Sequence, residues 1–166
     1  MKKLLLLPCI VSLFFIACQD GSQNIEKNIA LVDGYVDAVE QLDYDLMENF
    51  LADDYMGYGP SATDSINKAD AVAQWKTNVD ELYEKIEYQK SRNIAVSVPE
   101  GENQGDWVSN WAQLKITYKD DGGQVTIMAN TVYKIEGDKI SKSYTFYNEA
   151  DALDQLGYIF YNPKDF

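Results

Sequence analysis

At Tyr83 the spacing of apolar residues changes from steps of three and four to steps of two, and the new period holds almost to the end of the chain. A helix buries a stripe at 3.6-residue spacing and a strand buries alternate side chains, so the change divides the chain into a helical part and a sheet part. Before it, Ile25, Ile29, Val32, Val36 and Val39 follow helical spacing. A second helix is expected to bury Leu46, Met47, Phe50 and Leu51, with the Asp43 carboxylate accepting from the first free amides. Tyr55 to Pro60, with two glycines and a proline, reads as a short irregular strand, and Asn67 then caps a third helix carrying Val72, Trp75, Val79 and Leu82. After Tyr83, strands are expected at 84–98, 106–119, 124–136 and 139–148. The breaks, Pro99 to Gly105, Asp120-Asp121-Gly122-Gly123 and Glu136-Gly137-Asp138, are turn-forming. Three N-terminal helices followed by a long antiparallel meander predict an α+β fold, with the helices packed on one face of a strongly curved sheet.

At 166 residues there is room for one domain with a real core, since a chain of roughly 150 residues buries about 70% of its extended surface. The net charge of −13 disfavours nucleic acid and anionic lipid faces as partners. Histidine is absent, which removes the commonest acid, base or metal ligand near neutral pH, and no calcium-loop pattern is present, so neither metal nor cofactor is expected. Met1-Lys2-Lys3 is a short positive start, and Leu4 to Ile16 is apolar apart from Pro8, Cys9 and Ser12. That run is shorter than the ~20 residues a membrane-spanning helix needs, and it reads as an export signal. Phe15-Ile16-Ala17-Cys18 resembles a relaxed bacterial lipobox. The resemblance implies a signal peptide over 1–17, lipidation of Cys18, a polar tether over 18–24 and a folded domain over 25–166. It implies a bacterial cell-envelope protein held to the membrane by its lipid anchor only, on the periplasmic side or the cell surface. An ordinary signal peptide with an incidental cysteine is the alternative. Once the leader is removed and Cys18 is modified, no free thiol remains for disulfide or nucleophile chemistry.

Hairpin closure sets which residues share a face. Symmetric closure around Asp120-Asp121-Gly122-Gly123 puts Thr131 opposite Ala112, and closure at Gly137-Asp138 puts Thr131 opposite Tyr144. Alternation then collects Asn110, Ala112, Leu114, Ala129, Thr131, Tyr133, Tyr144, Phe146 and Asn148 on one face. Trp107, Trp111, Met128, Asn130, Val132, Thr145 and Tyr147 fall on the other, and a single bulge would exchange the faces beyond it. The first face has the apolar wall and scattered polar groups of a small-molecule pocket, and Tyr55, Tyr58 and Trp75 are placed to line its mouth.

The aromatic segment Ser143 to Tyr147, running into a short helix that ends in Gln155-Leu156-Gly157, resembles the close of the SnoaL-like branch of the nuclear transport factor 2-like superfamily. The resemblance implies a cone-shaped fold, and it puts Asn148 where members of that branch often carry an acidic side chain. Tyr35 to Asp54, with Gly34-Tyr35-Val36 and Leu51-Ala52-Asp53-Asp54 as landmarks, is similar to the ketosteroid isomerases, a system used as a standard example of aspartate and tyrosine tuning. That likeness puts Tyr35 on the oxyanion tyrosine, Gly59 on the base and Thr131 on the oxyanion aspartate. Ligand-pocket residues are therefore expected to be Tyr35, Asn110, Thr131, Tyr133, Tyr144, Phe146 and Asn148. Non-ionising groups at Gly59, Thr131 and Asn148 favour a domain that binds a small apolar or aromatic molecule without catalysis. One alternative is a cyclase, isomerase or dehydratase using Tyr35 with a carboxylate such as Asp54 or Glu149. Another is a protein-interaction module using the outer sheet face. The Trp107 and Trp111 face is expected to be covered either by a second copy of the chain, as is common in the superfamily, or by the tail Tyr158 to Phe166.

Overall fold

The computed structural model describes residues 19–162 and Lys164; the leader and Cys18 lie outside these residues. The elements in chain order are α1 (Gln19–Glu40), α2 (Tyr44–Phe50), β1 (Leu51–Tyr58), β2 (Ser65–Asn67) and α3 (Lys68–Glu81). They are followed by β3 (Tyr83–Val98), β4 (Gly105–Tyr118), β5 (Gln124–Glu136), β6 (Lys139–Tyr147) and α4 (Glu149–Gln155). The period change at Tyr83 marks the start of β3, and both expected caps form: Asp43 Oδ1 accepts from Leu46 N at 2.9 Å and Asn67 Oδ1 from Asp70 N at 3.0 Å. Helix α1 takes up Gln19 to Asn24, which sequence composition assigned to a tether.

The six strands form one sheet in the order β2-β1-β6-β5-β4-β3. The fold is α+β as expected, but the sheet is mixed rather than antiparallel, because β1 runs parallel to β6. Alternation reports which side chains are buried and carries no strand direction. About half the chain, residues 59–138, separates β1 from β6, so no tight turn forces them to be antiparallel. The fourth helix, α4, packs on β5 through Ala152 beside Val125 and Ile127.

Helix α1 lies across the concave side of the meander. It buries Val32, Tyr35, Val36, Ala38 and Val39 against Ile86, Val108, Tyr133, Ile135 and Ile140. Full burial of an aliphatic side chain contributes about 1.5–3 kcal/mol, so this stripe anchors the helix to the sheet. The stripe begins later than the spacing suggested, since Ile25 is exposed and, among the residues from 24 onward, Asn28 is the first that is buried. The half-buried Val72, Trp75 and Val79 of α3 and the exposed Leu82 that caps its C-terminus do not form the expected fully buried stripe. Trp75 and Leu82 instead face open space between helix and sheet. Bulges bend the sheet: pairing shifts between Gln89 and Arg92 in β3, where Lys90 has φ +54°, and between Lys134 and Ile135 on β5, opposite Ser141 of β6.

Candidate ligand-binding site

Two local events set the cavity wall. The β4–β5 turn is Lys119 to Gly122, with Tyr118 N donating to Gly123 O, so Thr131 pairs with Asn110 and not Ala112. This displaces the register by two residues and leaves the faces as alternation predicts. In the β5–β6 hairpin, Glu136 pairs with Lys139 as expected, but Ser141 is an extra residue between the pairs Ile135–Ile140 and Lys134–Lys142. Beyond it Thr131 pairs with Thr145 and Val132 with Tyr144, so every later side chain of β6 changes face. Ser143, Thr145 and Tyr147 turn inward, and Tyr144 and Phe146 turn outward.

The result is a cavity of about 870 Å³ between α1, α3 and the concave sheet face. Its deep part is lined by Tyr35, Tyr55, Tyr88 and Tyr133 with Asn110 and Ser143. The Tyr35 ring meets Tyr133 edge-on at 5.7 Å between centroids and Phe50 at 6.2 Å. The Tyr55 hydroxyl bonds the Ser143 hydroxyl at 2.7 Å, and the Thr131 and Thr145 hydroxyls lie 3.2 Å apart. Asn110 is buried and its amide donates to Ser91 Oγ at 2.7 Å and Asn93 Oδ1 at 2.8 Å. With both amide hydrogens used, its carbonyl oxygen is the group left to meet a ligand.

Burial pushes the Tyr35 and Tyr133 phenols well above the ordinary tyrosine value, and neighbouring tyrosine hydroxyls push in the same direction. At Tyr133 the hydrogen bond with Thr131 offsets part of this. Tyr88 is raised by burial and then by the Glu40 carboxylate. Desolvation disfavours the phenolate, so these groups stay neutral and offer hydroxyls and ring faces rather than charge. Trp75, Tyr83, Tyr118 and Tyr147 line the outer part, with Tyr83 packed between Trp75 at 6.1 Å and Tyr118 at 5.8 Å. Two lining residues are ionised, Asp64 and Glu149, and both are exposed.

Of the seven residues expected at the pocket, Tyr35, Asn110, Thr131 and Tyr133 are on the cavity wall, and Tyr144, Phe146 and Asn148 are not. Tyr144 is in an outer aromatic stack, 5.0 Å from Tyr58 and 6.2 Å from Trp107. This stack also takes Tyr58 away from the mouth, whereas Tyr55 and Trp75 do line the cavity. Phe146 is exposed on the same outer face. Asn148 caps α4, its Oδ1 accepting from Asp151 N at 3.3 Å. Sequence reasoning missed Ser143, Thr145 and Tyr147, since Tyr144 and Phe146 gave their own face the stronger apolar signal. The available hint was Ser141-Lys142-Ser143, where polar residues interrupt the alternation.

Trp107 is buried although it faces outward: Tyr144 packs on it and its indole N–H donates to Asn103 O at 2.8 Å. Of the tail, the described residues Tyr158, Ile159, Phe160 and Tyr161 are each at least 60% exposed. Among the described residues no three Cys, Asp or Glu side chains converge as metal ligands.

Residues 29–138 match the SnoaL-like domain family. The chain belongs to the SnoaL-like family. This SnoaL-like chain is similar to a candidate polyketide cyclase of Xanthomonas campestris pv. campestris, at 16% identity and a TM-score of 0.65 over 80% of this chain and 98% of that one. It is also similar to a protein of ketosteroid isomerase-like fold from Catenulispora acidiphila, solved with trimethylamine, at 11% identity and 0.60 over 78% and 93%. An LEH-like epoxide hydrolase of M. tuberculosis follows at 13% and 0.58, over 80% and 91%. At these identities the likeness establishes the fold alone. No curated protein sequence matches the chain. SnoaL-like and related folds commonly bind small molecules or act as enzymes.

Proposed function

We propose that this chain is a lipid-anchored domain of the bacterial cell envelope that binds a small apolar or aromatic molecule in its cavity and does not transform it. One observation carries the reading. The cavity is large enough for such a ligand, as binding cavities of about 300–1,000 Å³ generally are, yet among the described residues lining it the only carboxylates are the exposed Asp64 and Glu149. Gly59, on the base position by resemblance, has no room for a side chain against the Thr145 carbonyl. Thr131, on the oxyanion aspartate position, bonds to Thr145, and Asn148 is committed to capping α4. The enzyme alternative needs a carboxyl buried beside Tyr35; Asp54 is exposed and off the wall, and Glu149 is exposed at the rim.

Anchoring rests on the Cys18 motif, and Cys18→Ala is expected to release the chain from the membrane fraction; retention would remove that part of the proposal. The exposed apolar outer face, with Ile94, Val96, Met128 and Phe146, is the surface we assign to pairing with a second copy. Sedimentation finding only monomer over the accessible concentration range would remove this assignment.

Binding is tested by thermal unfolding of the full chain in phospholipid nanodiscs against a panel of small aromatic compounds. A ligand at a hundred times its Kd adds about 2.7 kcal/mol of stability. The Ala129→Trp variant, which fills part of the cavity, is expected to lose the shift while still folding, and mass spectrometry is expected to recover the ligand unchanged. No stabilising compound, an undiminished shift in Ala129→Trp, or a converted ligand would overturn the proposal.

A further inference from the structure

We infer that the cavity takes an apolar monocation, an amine or quaternary ammonium with a hydrocarbon or aromatic body, whose charge is held at the mouth between Asp64, Glu149 and the ring of Tyr147. The inference rests on the binding role proposed above and adds the ligand's charge. Three features of the wall support it.

The first is sign. None of the described residues lining the cavity is Lys or Arg, and both charged ones are acidic. The nearby Lys119 ammonium is held by the carbonyls of Val79 and Asp80, each at 2.8 Å, and is not on the wall. An anion entering the cavity would be desolvated with no positive partner, whereas a cation meets two carboxylates. The second is the nature of the remaining surface. Eight of the lining side chains are aromatic, seven Tyr and one Trp, and a ring face attracts a cation within about 6 Å of its centroid. Burial keeps the deep phenols neutral, so they add no repelling or attracting ion of their own and leave the interior to an apolar body.

The third is convergence. Asp64 comes from the loop between β1 and β2, and Glu149 from the first turn of α4. Tyr147 ends β6, on the same rim. Asp64, Glu149 and Tyr147 all line the one cavity, and the Tyr147 phenol is raised first by burial and then by Glu149, Tyr118 and Asp64. The charge site is thus at the wet end of the cavity, where an ammonium keeps part of its hydration, and the apolar body points toward Tyr35 and Tyr133.

Three probes of similar shape test the inference on the full chain in nanodiscs, with empty nanodiscs as reference: phenyltrimethylammonium, its neutral isostere tert-butylbenzene, and benzenesulfonate. The cation is expected to bind at least tenfold more tightly than the neutral probe, and the sulfonate not at all. In the double variant Asp64→Asn with Glu149→Gln, cation affinity is expected to fall about tenfold while tert-butylbenzene affinity stays unchanged, which also reports that the cavity is intact. Thr63→Lys, a cationic side chain on the same wall, is expected to weaken the cation and admit the sulfonate. Neutral and cationic probes binding equally, sulfonate binding best, or a preference that survives the double variant would overturn the charge assignment while leaving the binding role standing. Failure of all three probes, in a chain that binds nothing from the wider aromatic panel, would overturn both.

Discussion

Replacing Gly59 tests why none of the described residues puts a carboxylate deep in this cavity. Gly59 has φ +95°, and a Cβ built on it falls within hard contact of the Thr145 carbonyl oxygen, on the strand that pairs with β1. The left-handed backbone costs an L-residue about 1–2 kcal/mol. Crowding a packed site adds about 1–3 kcal/mol, because the β1–β6 pair or the loop must move to make room. Gly59→Ala is therefore expected to destabilise the chain by about 3 kcal/mol, lowering Tm by roughly 6–12 °C for a chain of this size. Gly101 supplies the control. Its φ is +93° and nothing lies within 4 Å of its Cβ position, so Gly101→Ala carries the backbone cost without the collision. Urea denaturation of the two variants should separate them by about 1–3 kcal/mol at equal m-values. Equal losses would refute the collision. The functional consequence follows directly: Gly59→Asp would put a carboxyl where the ketosteroid isomerase resemblance places the base, and it meets the same obstacle.

Ser143→Ala leaves the Tyr55 hydroxyl without its 2.7 Å partner in a buried position, for an expected loss of about 1 kcal/mol or more in urea denaturation. A double-mutant cycle with Tyr55→Phe should return a coupling of at least about 0.5 kcal/mol, and strict additivity would refute the bond. Alkaline pH gives a further test. Burial raises Tyr83 from 10.0 to about 12, so below pH 10 both folded and unfolded chains hold the proton and stability does not depend on this group. Between pH 10 and about 12 the unfolded chain ionises first, and stability falls until the folded phenol also titrates. Tyr35 and Tyr133, raised further, extend the loss to higher pH. A Tyr83→Phe variant whose stability falls as steeply as the parent's between pH 10 and about 12 would contradict the Tyr83 assignment.

The change of spacing at Tyr83, the caps at Asp43 and Asn67, and the turns at Lys119 to Gly123 and Gly137-Asp138 are local chemistry, and each was legible in the sequence to within a residue or two. Gly59, Thr131 and Asn148 carry no ionisable side chain whatever their surroundings, but only the tertiary structure shows that Gly59 and Thr131 line the cavity and Asn148 does not. The direction of β1 was not legible, because alternation is the same in parallel and antiparallel pairs and the partner strand lies about half the chain away. Nor was the face of β6. Side-chain alternation propagates any slip, so one extra residue at Ser141 moved Tyr144 and Phe146 out of the cavity and brought Ser143, Thr145 and Tyr147 in. The sequence by itself determined the kinds of element and the chemical character of the wall. The tertiary structure decided which aromatic rings line the cavity, and that Asp64 and Glu149 share its wall, because both depend on long-range pairing that no local pattern encodes.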